Sequence, residues 1–433
     1  MSVPGTTHTS RQDSAAYLVD GEVNPTVFVD PDIFTMEDER IWRSVWVYVG
    51  HTSEVPSEGD YVRRRIGREP VVMIRGRDGE VRVLSNRCPH RGNLVCVRDR
   101  GNETTLTCSY HGWSFGVDGA LAGVPGRAGY EAGQLAAMGG LKPLPRQGQH
   151  RGFVFASLRS EGPELLDQLG IAAQRLDDFA DRSPTGELDF TVGAQKSLFR
   201  SNWKIWAENS VDNYHANFVH ASQFSLEESL RITSSRVSAN GTAAVARDLG
   251  NGNAELDFRP ELRRLGNGFP TGFGSEERAE DLAEYRQQLA ARLGAERTEQ
   301  LMADGPPHVF IFPNLFVLQQ DARVIEPVGP GMSVLYNYPA MLRGAPESIN
   351  EARLRRHENA YGPAGSVLSD DLEMFERVQV AMVERARHVT PLNRGLHREH
   401  EDADGTRSGH ITDEVGQRGI WKRYFDVMNG VSA

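Results

Sequence analysis

The sequence predicts an α+β protein in which a small all-β domain precedes a larger domain of helices and strands. Three observations carry that expectation. Residues 60–84 alternate strand-like runs with a tight-turn signal, residues beyond 160 take up helical spacing, and strand-like runs return after 308. At 433 residues, with 39% apolar and 25% charged content, the chain is long enough for two or three domains with sizeable cores.

The β domain is placed at 44–158. Tyr61-Val62, Val71 to Ile74 and Val81 to Leu84 read as strands, and Asp78-Gly79 between the last two is a hairpin-turn pair. A second pair, Asp118-Gly119, predicts another hairpin, and Gly152 to Ala156 reads as the closing strand. Two short clusters lie beside these turns: Cys88-Pro89-His90 and Cys108-Ser109-Tyr110-His111, separated by seventeen residues. Two thiolates and two imidazoles, one of each per cluster, suit a [2Fe-2S] centre of the Rieske kind, in which one iron keeps cysteine and the other takes histidine. Structural zinc is the rival reading, but zinc sites usually group cysteines in one knuckle and histidines in another. The mixing of the two residue types within each cluster favours iron and sulfur. The third cysteine, Cys96, has no partner available for a disulfide.

Beyond 158 the pattern changes. Pro163 to Ala180 has helical spacing, and Leu282, Tyr285, Leu289 and Leu293 form one apolar stripe, whose plain meaning is packing. Residues 238–275 are rich in Gly and Asn and read as long loops. Val309 to Gln319 and Met332 to Tyr338 read as strands. The segment from Asn202 to His220 carries the second chemical signal. His215 and His220 are five apart, about 140° round a regular helix, so a shared metal requires the helix to end or distort between them. Asp212, three before His215, is placed to accept from that imidazole's free nitrogen. Ser369 and Asp370 read as a cap for the helix carrying Leu372, Phe375, Val378 and Met382. Other histidines, among them His51, His150, His308, His357, His388 and His410, read as surface or hydrogen-bonded residues. Arg323 is a candidate partner for a substrate carboxylate.

Charge and composition exclude several classes. A net charge of -11 argues against a nucleic-acid partner. The polar start MSVPGTTHTSRQDS and the lack of any long apolar run predict a cytoplasmic protein with no membrane span, and three cysteines suit a reducing compartment.

Cys-Pro-His-Arg-Gly and Cys-Ser-Tyr-His-Gly-Trp resemble the Rieske motif of ring-hydroxylating oxygenase large subunits, and Glu208-Asn209-Ser210-Val211-Asp212-Asn213-Tyr214-His215 through His220 resembles the iron motif of the same family. The resemblance implies that Cys88, His90, Cys108 and His111 hold the [2Fe-2S] cluster and that His215 and His220 bind a mononuclear non-haem iron(II). It takes Asp371 as the third ligand, because a Gly-Pro-Ala-Gly stretch, here Gly362 to Gly365, precedes the family's aspartate. A two-histidine, one-carboxylate set leaves coordination positions open for O₂. Also implied are a helix-grip (Bet v 1-like) catalytic domain over 159–433, and an N-terminal segment, 1–43, packed on it.

The reaction implied is cis-dihydroxylation of an aromatic ring as the terminal, alpha-subunit component of a multicomponent system. No flavin or nicotinamide fingerprint is present, so NADH is left to a separate reductase, with or without a ferredoxin. An α3 or α3β3 assembly, with a small beta subunit in the latter, follows from the family. There a cluster histidine of one subunit meets the aspartate at the Asp212 position of its neighbour. Monohydroxylation or demethylation uses the same metal set, and an electron carrier lacking the second iron is the reading from a different class. The spacing from Asn209 to Asp212 resembles benzoate-type, salicylate-type and terephthalate-type oxygenases, pointing to a small aromatic carboxylate as substrate.

Overall fold

The structure, a computed structural model, describes residues 18–19, 22–229, 241–265, 278–384 and 389–431. The start of the chain, His388, and residues 238–240 and 266–275 of the Gly/Asn-rich stretch lie outside the described residues.

Short antiparallel sheets build the first domain. Strands Val81–Ser85, Glu69–Arg75, Asp60–Ile66 and Arg100–Asn102 pair in that order, and a second sheet joins Leu121–Gly123, Ser114–Phe115 and Leu106–Thr107. Both Asp-Gly pairs sit in turns. Gly79 and Gly119 have φ of 83° and 86°, a region open to glycine at little cost, and the amides of Gly76 and Gly116 close each turn on Glu80 and Ala120. A third sheet, Arg146–His150, Phe153–Ser157 and Val47–His51, ties the start of the domain to its end.

A nine-stranded antiparallel sheet spans the second half. Its spatial order is Gln195–Phe199, Met332–Pro339, Asp321–Gly329, Leu315–Leu318, His308–Ile311, Asn253–Asp257, Val245–Gly250, Arg407–His410 and His400–Glu401. One face packs with Trp203, Trp206 and the C-terminal helix Val415–Met428, burying Phe310, Phe316, Ile325 and Leu335. The other face buries Ala322, Tyr338, Leu176, Tyr285 and Leu289. Tyr285 and Leu289 are the centre of the apolar stripe, on the helix Ala279–Leu293. The sheet is thus covered on both sides, as its apolar alternation on both faces requires.

One expectation is corrected and two are refined. Residues 245–257 are not loop but the hairpin Val245–Gly250 and Asn253–Asp257, with Asn251 (φ 56°) and Gly252 (φ 77°) in its turn, and Arg259–Leu265 is a helix. Gly and Asn there mark a left-handed turn, while Ala246, Ala254 and Leu256 are core. The run Val309 to Gln319 is two paired strands, because Pro313 interrupts it. Pro163 to Ala180 divides at Gly170 into the helices Leu165–Leu169 and Ala172–Asp181.

Residues 22–43 lie against the second half. Phe28 meets Trp421 edge-on at 5.4 Å and Trp42 meets Trp203 at 5.2 Å. Buried Glu37 accepts from Trp203 Nε1 at 2.9 Å, Lys204 Nζ at 2.5 Å and the Tyr424 hydroxyl at 2.6 Å. Among the described residues no helix is long and apolar enough to cross a membrane.

Candidate metal centres

The two Cys/His loops are built alike. The Cys88 amide donates to Asn93 and the Cys108 amide to Trp113, each at 2.8 Å. The Gly92 and Gly112 amides return to the two cysteine carbonyls at 2.9 and 3.0 Å. Both glycines have positive φ, 75° and 70°, which lets each loop fold back over its sulfur. Cys88 and Cys108 are buried, whereas His90 and His111 are half-exposed at the tip with ring centroids 4.5 Å apart. Trp113 stacks flat on His90 at 5.0 Å. Burial works against a thiolate at Cys108, yet the Tyr110 amide and the Asn93 side chain outweigh it and hold the thiol below its ordinary range. The buried His90 Nδ1 has no hydrogen-bond partner among the described residues. Two sulfurs inward, two imidazoles outward and an unpaired ring nitrogen fit a cluster with one cysteine-held and one histidine-held iron. Cys96 stands apart as a free buried thiol, pushed up to about 12 by desolvation.

The second centre joins distant segments. The helix Trp203–Asn209 ends, a short turn follows, and His215 precedes the helix Ala216–Val219. His220 closes that helix with φ -99° and ψ 26°, outside helical geometry, so the two imidazoles converge across a break. Asp371 enters from the first turn of Leu368–Ala381. His215, His220 and Asp371 each offer one ligand atom within 4.8 Å of the others. The Nε2 atoms of His215 and His220 lie 3.5 and 3.2 Å from Asp371 Oδ1. Burial disfavours a charged His215, but Asp212 and Asp371 raise it to about 10; the same imidazoles hold buried Asp371 well below the carboxylate range. Such a site calls for positive charge, and a divalent cation supplies it where protons otherwise must.

Asp212 is not helical. Its Oδ1 accepts from the Tyr214 amide at 2.6 Å, and its Oδ2 lies 3.4 Å from His215 Nδ1. Ser369 and Asp370 do not cap. Val367 occupies the cap position, Ser369 Oγ donates back to Gly365 at 3.0 Å, and Asp370 lies within the first turn, 3.8 Å from His220 Nδ1. Sequence reasoning gave no role to Asn209, whose Nδ2 lies 3.1 Å from His215 Nε2 and 3.5 Å from Asp371 Oδ1; its place in the quoted motif was the available signal. His308 is likewise part of the wall. Burial pushes it down to about 3, its Nε2 lies 3.1 Å from the Ser210 carbonyl, and its ring meets Phe316 at 4.9 Å. Arg323 is 5% exposed, its guanidinium lies 3.7 Å over the Tyr361 ring, and its Nε and Nη2 have no partner among the described residues.

One chain that combines an all-β Rieske domain with a two-histidine, one-aspartate site borne on helices of a domain built round an antiparallel sheet is a Rieske-type iron oxygenase in class, and comparison with known proteins agrees. Residues 45–138 match the family model of the Rieske [2Fe-2S] domain, and residues 180–406 match that of the ring hydroxylating alpha subunit, catalytic domain. The anthranilate 1,2-dioxygenase large subunit of Acinetobacter baylyi is 30% identical over 379 residues, covering 86% of this chain and 79% of its own. The toluate 1,2-dioxygenase subunit alpha of Pseudomonas putida is 29% identical over 360 residues, covering 82% and 77%. The structure of naphthalene 1,2-dioxygenase from Rhodococcus sp. bound to indole aligns with a TM-score of 0.81 at 24% identity over 98% of this chain and 99% of that one, which establishes the shared fold. The chain belongs to the ring-hydroxylating alpha subunits: it is an aromatic ring-hydroxylating dioxygenase, and its cofactors are a Rieske [2Fe-2S] cluster and a mononuclear iron.

Proposed function

We propose that the chain is the terminal oxygenase subunit that cis-dihydroxylates a small aromatic carboxylate. O₂ supplies both oxygen atoms, and NADH supplies two electrons through a separate reductase, with or without a ferredoxin. In this reading 44–158 is the cluster domain, 159–433 the iron domain, and 1–43 a segment packed on the latter. Cys88, Cys108, His90 and His111 hold the cluster, and His215, His220 and Asp371 hold the iron. When bound, the cluster supplies single electrons and the iron activates O₂ at open positions.

The protein's own groups do the rest. Asp212, lying against His215 Nδ1, orients that ring so that Nε2 faces Asp371. Trp206, Phe310 and Phe316 pack edge to face and exclude water beneath the site. The observation that carries the substrate class is Arg323: a buried guanidinium with two unpaired donors, stacked on Tyr361, whose hydroxyl feels the Asp371 charge. A carboxylate satisfies such a fork, and a hydrocarbon leaves it empty.

An α3 or α3β3 assembly brings the His90/His111 tip of one copy to Asp212 of the next. Exposed aromatic residues beside both sites support it: Tyr110 at the cluster tip, and Tyr214 and Phe218 beside His215. Free cysteines suit a cytoplasmic setting. Product analysis with the chain, a matching reductase and a panel of aromatic acids and hydrocarbons tests the reading. Turnover of acids to cis-diols is expected, and turnover of hydrocarbons alone overturns the carboxylate.

A further inference from the structure

Residues opposite one another on neighbouring antiparallel strands share a face of the sheet, with Cβ atoms about 4.5–5.5 Å apart. Phe310, Phe316, Arg323 and Asn337 are successive register partners on the strands His308–Ile311, Leu315–Leu318, Asp321–Gly329 and Met332–Pro339. They therefore form one row across four strands. Phe310 and Phe316 touch Trp206 of the helix leading to His215, at 5.9 and 6.2 Å, so the row lies on the iron side.

The row is aromatic at one end and polar at the other. Asn337 is completely buried, and neither its Oδ1 nor its Nδ2 has a partner among the described residues. Its neighbour Arg323 leaves Nε and Nη2 unpaired. A buried amide with both ends unpaired is uncommon in a folded protein, and two such side chains facing each other mark a place where something polar belongs. The atoms present define its shape. Arg323 and Asn337 Nδ2 offer donors that complement the two oxygens of a carboxylate, while Asn337 Oδ1 is an acceptor and requires a donor. A plain aromatic acid brings no such donor.

We propose that Asn337 determines specificity at this site: beside the carboxylate held by Arg323, it reads a second substituent, so the preferred substrate is an aromatic acid with a hydroxyl or amino group next to its carboxylate. This rests on the carboxylate reading of Arg323. Asn337 acts on recognition and takes no part in the oxygen chemistry.

The test uses the metal-loaded protein with its electron donors, and benzoate, 2-hydroxybenzoate and 2-aminobenzoate as probes. Wild type is expected to favour the two substituted acids over benzoate by about tenfold or more in kcat/KM, since a site built for a polar group rejects an analogue without it. Asn337→Leu removes that preference, raising KM for the two substituted acids at least about threefold more than for benzoate; Asn337→Ser, which supplies a hydroxyl in place of the amide, restores part of it. Calorimetric titration of the three acids into iron-free protein gives the same order. The proposal is overturned if wild type shows no preference, or if both variants change all three acids equally. Arg323→Met separates the two readings. If it leaves acid turnover unchanged, the carboxylate assignment falls and takes this one with it. If it abolishes acid turnover while Asn337→Leu keeps the preference, only Asn337 is misassigned.

Discussion

Asp371 Oδ1 and His220 Nε2 meet at 3.2 Å in the interior, although one opens a helix late in the chain and the other closes a short helix near its middle. His215 Nε2 approaches the same oxygen at 3.5 Å. One carboxylate oxygen serving a buried and a half-buried imidazole is a poor arrangement for neutral rings. It suits a proton or a cation placed among the three, and the breaks at His215 and His220 exist to point both rings there.

Asp371→Ala removes the carboxylate and keeps both histidines. The expected result is loss of the mononuclear iron, so that metal analysis falls from roughly three irons per chain to roughly two, with the cluster's visible spectrum unchanged. An unaltered iron content would refute the assignment of Asp371 as ligand.

Asp212→Asn keeps an Oδ1 acceptor for the Tyr214 amide and so preserves the turn. It removes the negative charge beside His215 Nδ1. Both metals are retained and turnover falls at least about tenfold, a typical cost of losing a residue that orients a metal-bound histidine. Metal content and steady-state rate, measured on one preparation, check it. If the cluster spectrum disappears as well, Asp212 is structural.

Much of this was legible because local rules and global fold agree. Asp-Gly pairs marked both hairpins beside the cluster loops, and the five-residue spacing of His215 and His220 required the helix break that the backbone shows. The misreadings have physical causes. Gly250, Asn251 and Gly252 look like a loop by composition, yet left-handed backbone at a two-residue turn demands those residues, while the strands on either side are buried. Ser369 and Asp370 look like a cap, but the helix starts one residue earlier at Leu368, and helix starts are set by the fold of the preceding Gly-Pro-Ala-Gly turn. Asn337 gave a signal that only period-two counting reveals, a polar residue on the inward side of a strand whose neighbour on that face is Leu335.

Lys204→Met tests the anchoring of the N-terminal segment. Lys204 and Glu37 are both buried, and Glu37 also accepts from Trp203 and Tyr424, so one carboxylate pins residues 31–42 to two helices of the iron domain. Removing the ammonium leaves a buried charge with only neutral donors, which costs about 3–5 kcal/mol. Thermal unfolding should show a clearly lower Tm, with the double variant Glu37→Gln/Lys204→Met recovering part of the loss. A Tm equal to wild type in the single variant would mean that the pair is not a brace.

Glu208 gives the protein a pH-dependent element beside the iron motif. Its Oε1 accepts from Trp421 Nε1 at 2.5 Å. Desolvation nevertheless raises its carboxyl to about 7, with the charges of Glu414 and Asp212 adding to the effect. A carboxyl with a folded value above its unfolded one binds its proton more tightly in the native state. Stability is therefore lost as pH rises from about 4.5, where the unfolded chain deprotonates, to about 7, where the native group does. Glu208→Gln keeps an acceptor for Trp421 and removes the titration. Its Tm relative to wild type should rise across pH 4.5 to 7 and stay level above, with a gap of at most about 3 kcal/mol. The comparison is made on iron-free protein, so that metal binding at His215 does not add its own pH dependence. A gap that stays constant from pH 4 to 9 would mean that Glu208 ionises as freely in the folded protein as in the unfolded chain, and that the Trp421 hydrogen bond has offset its burial.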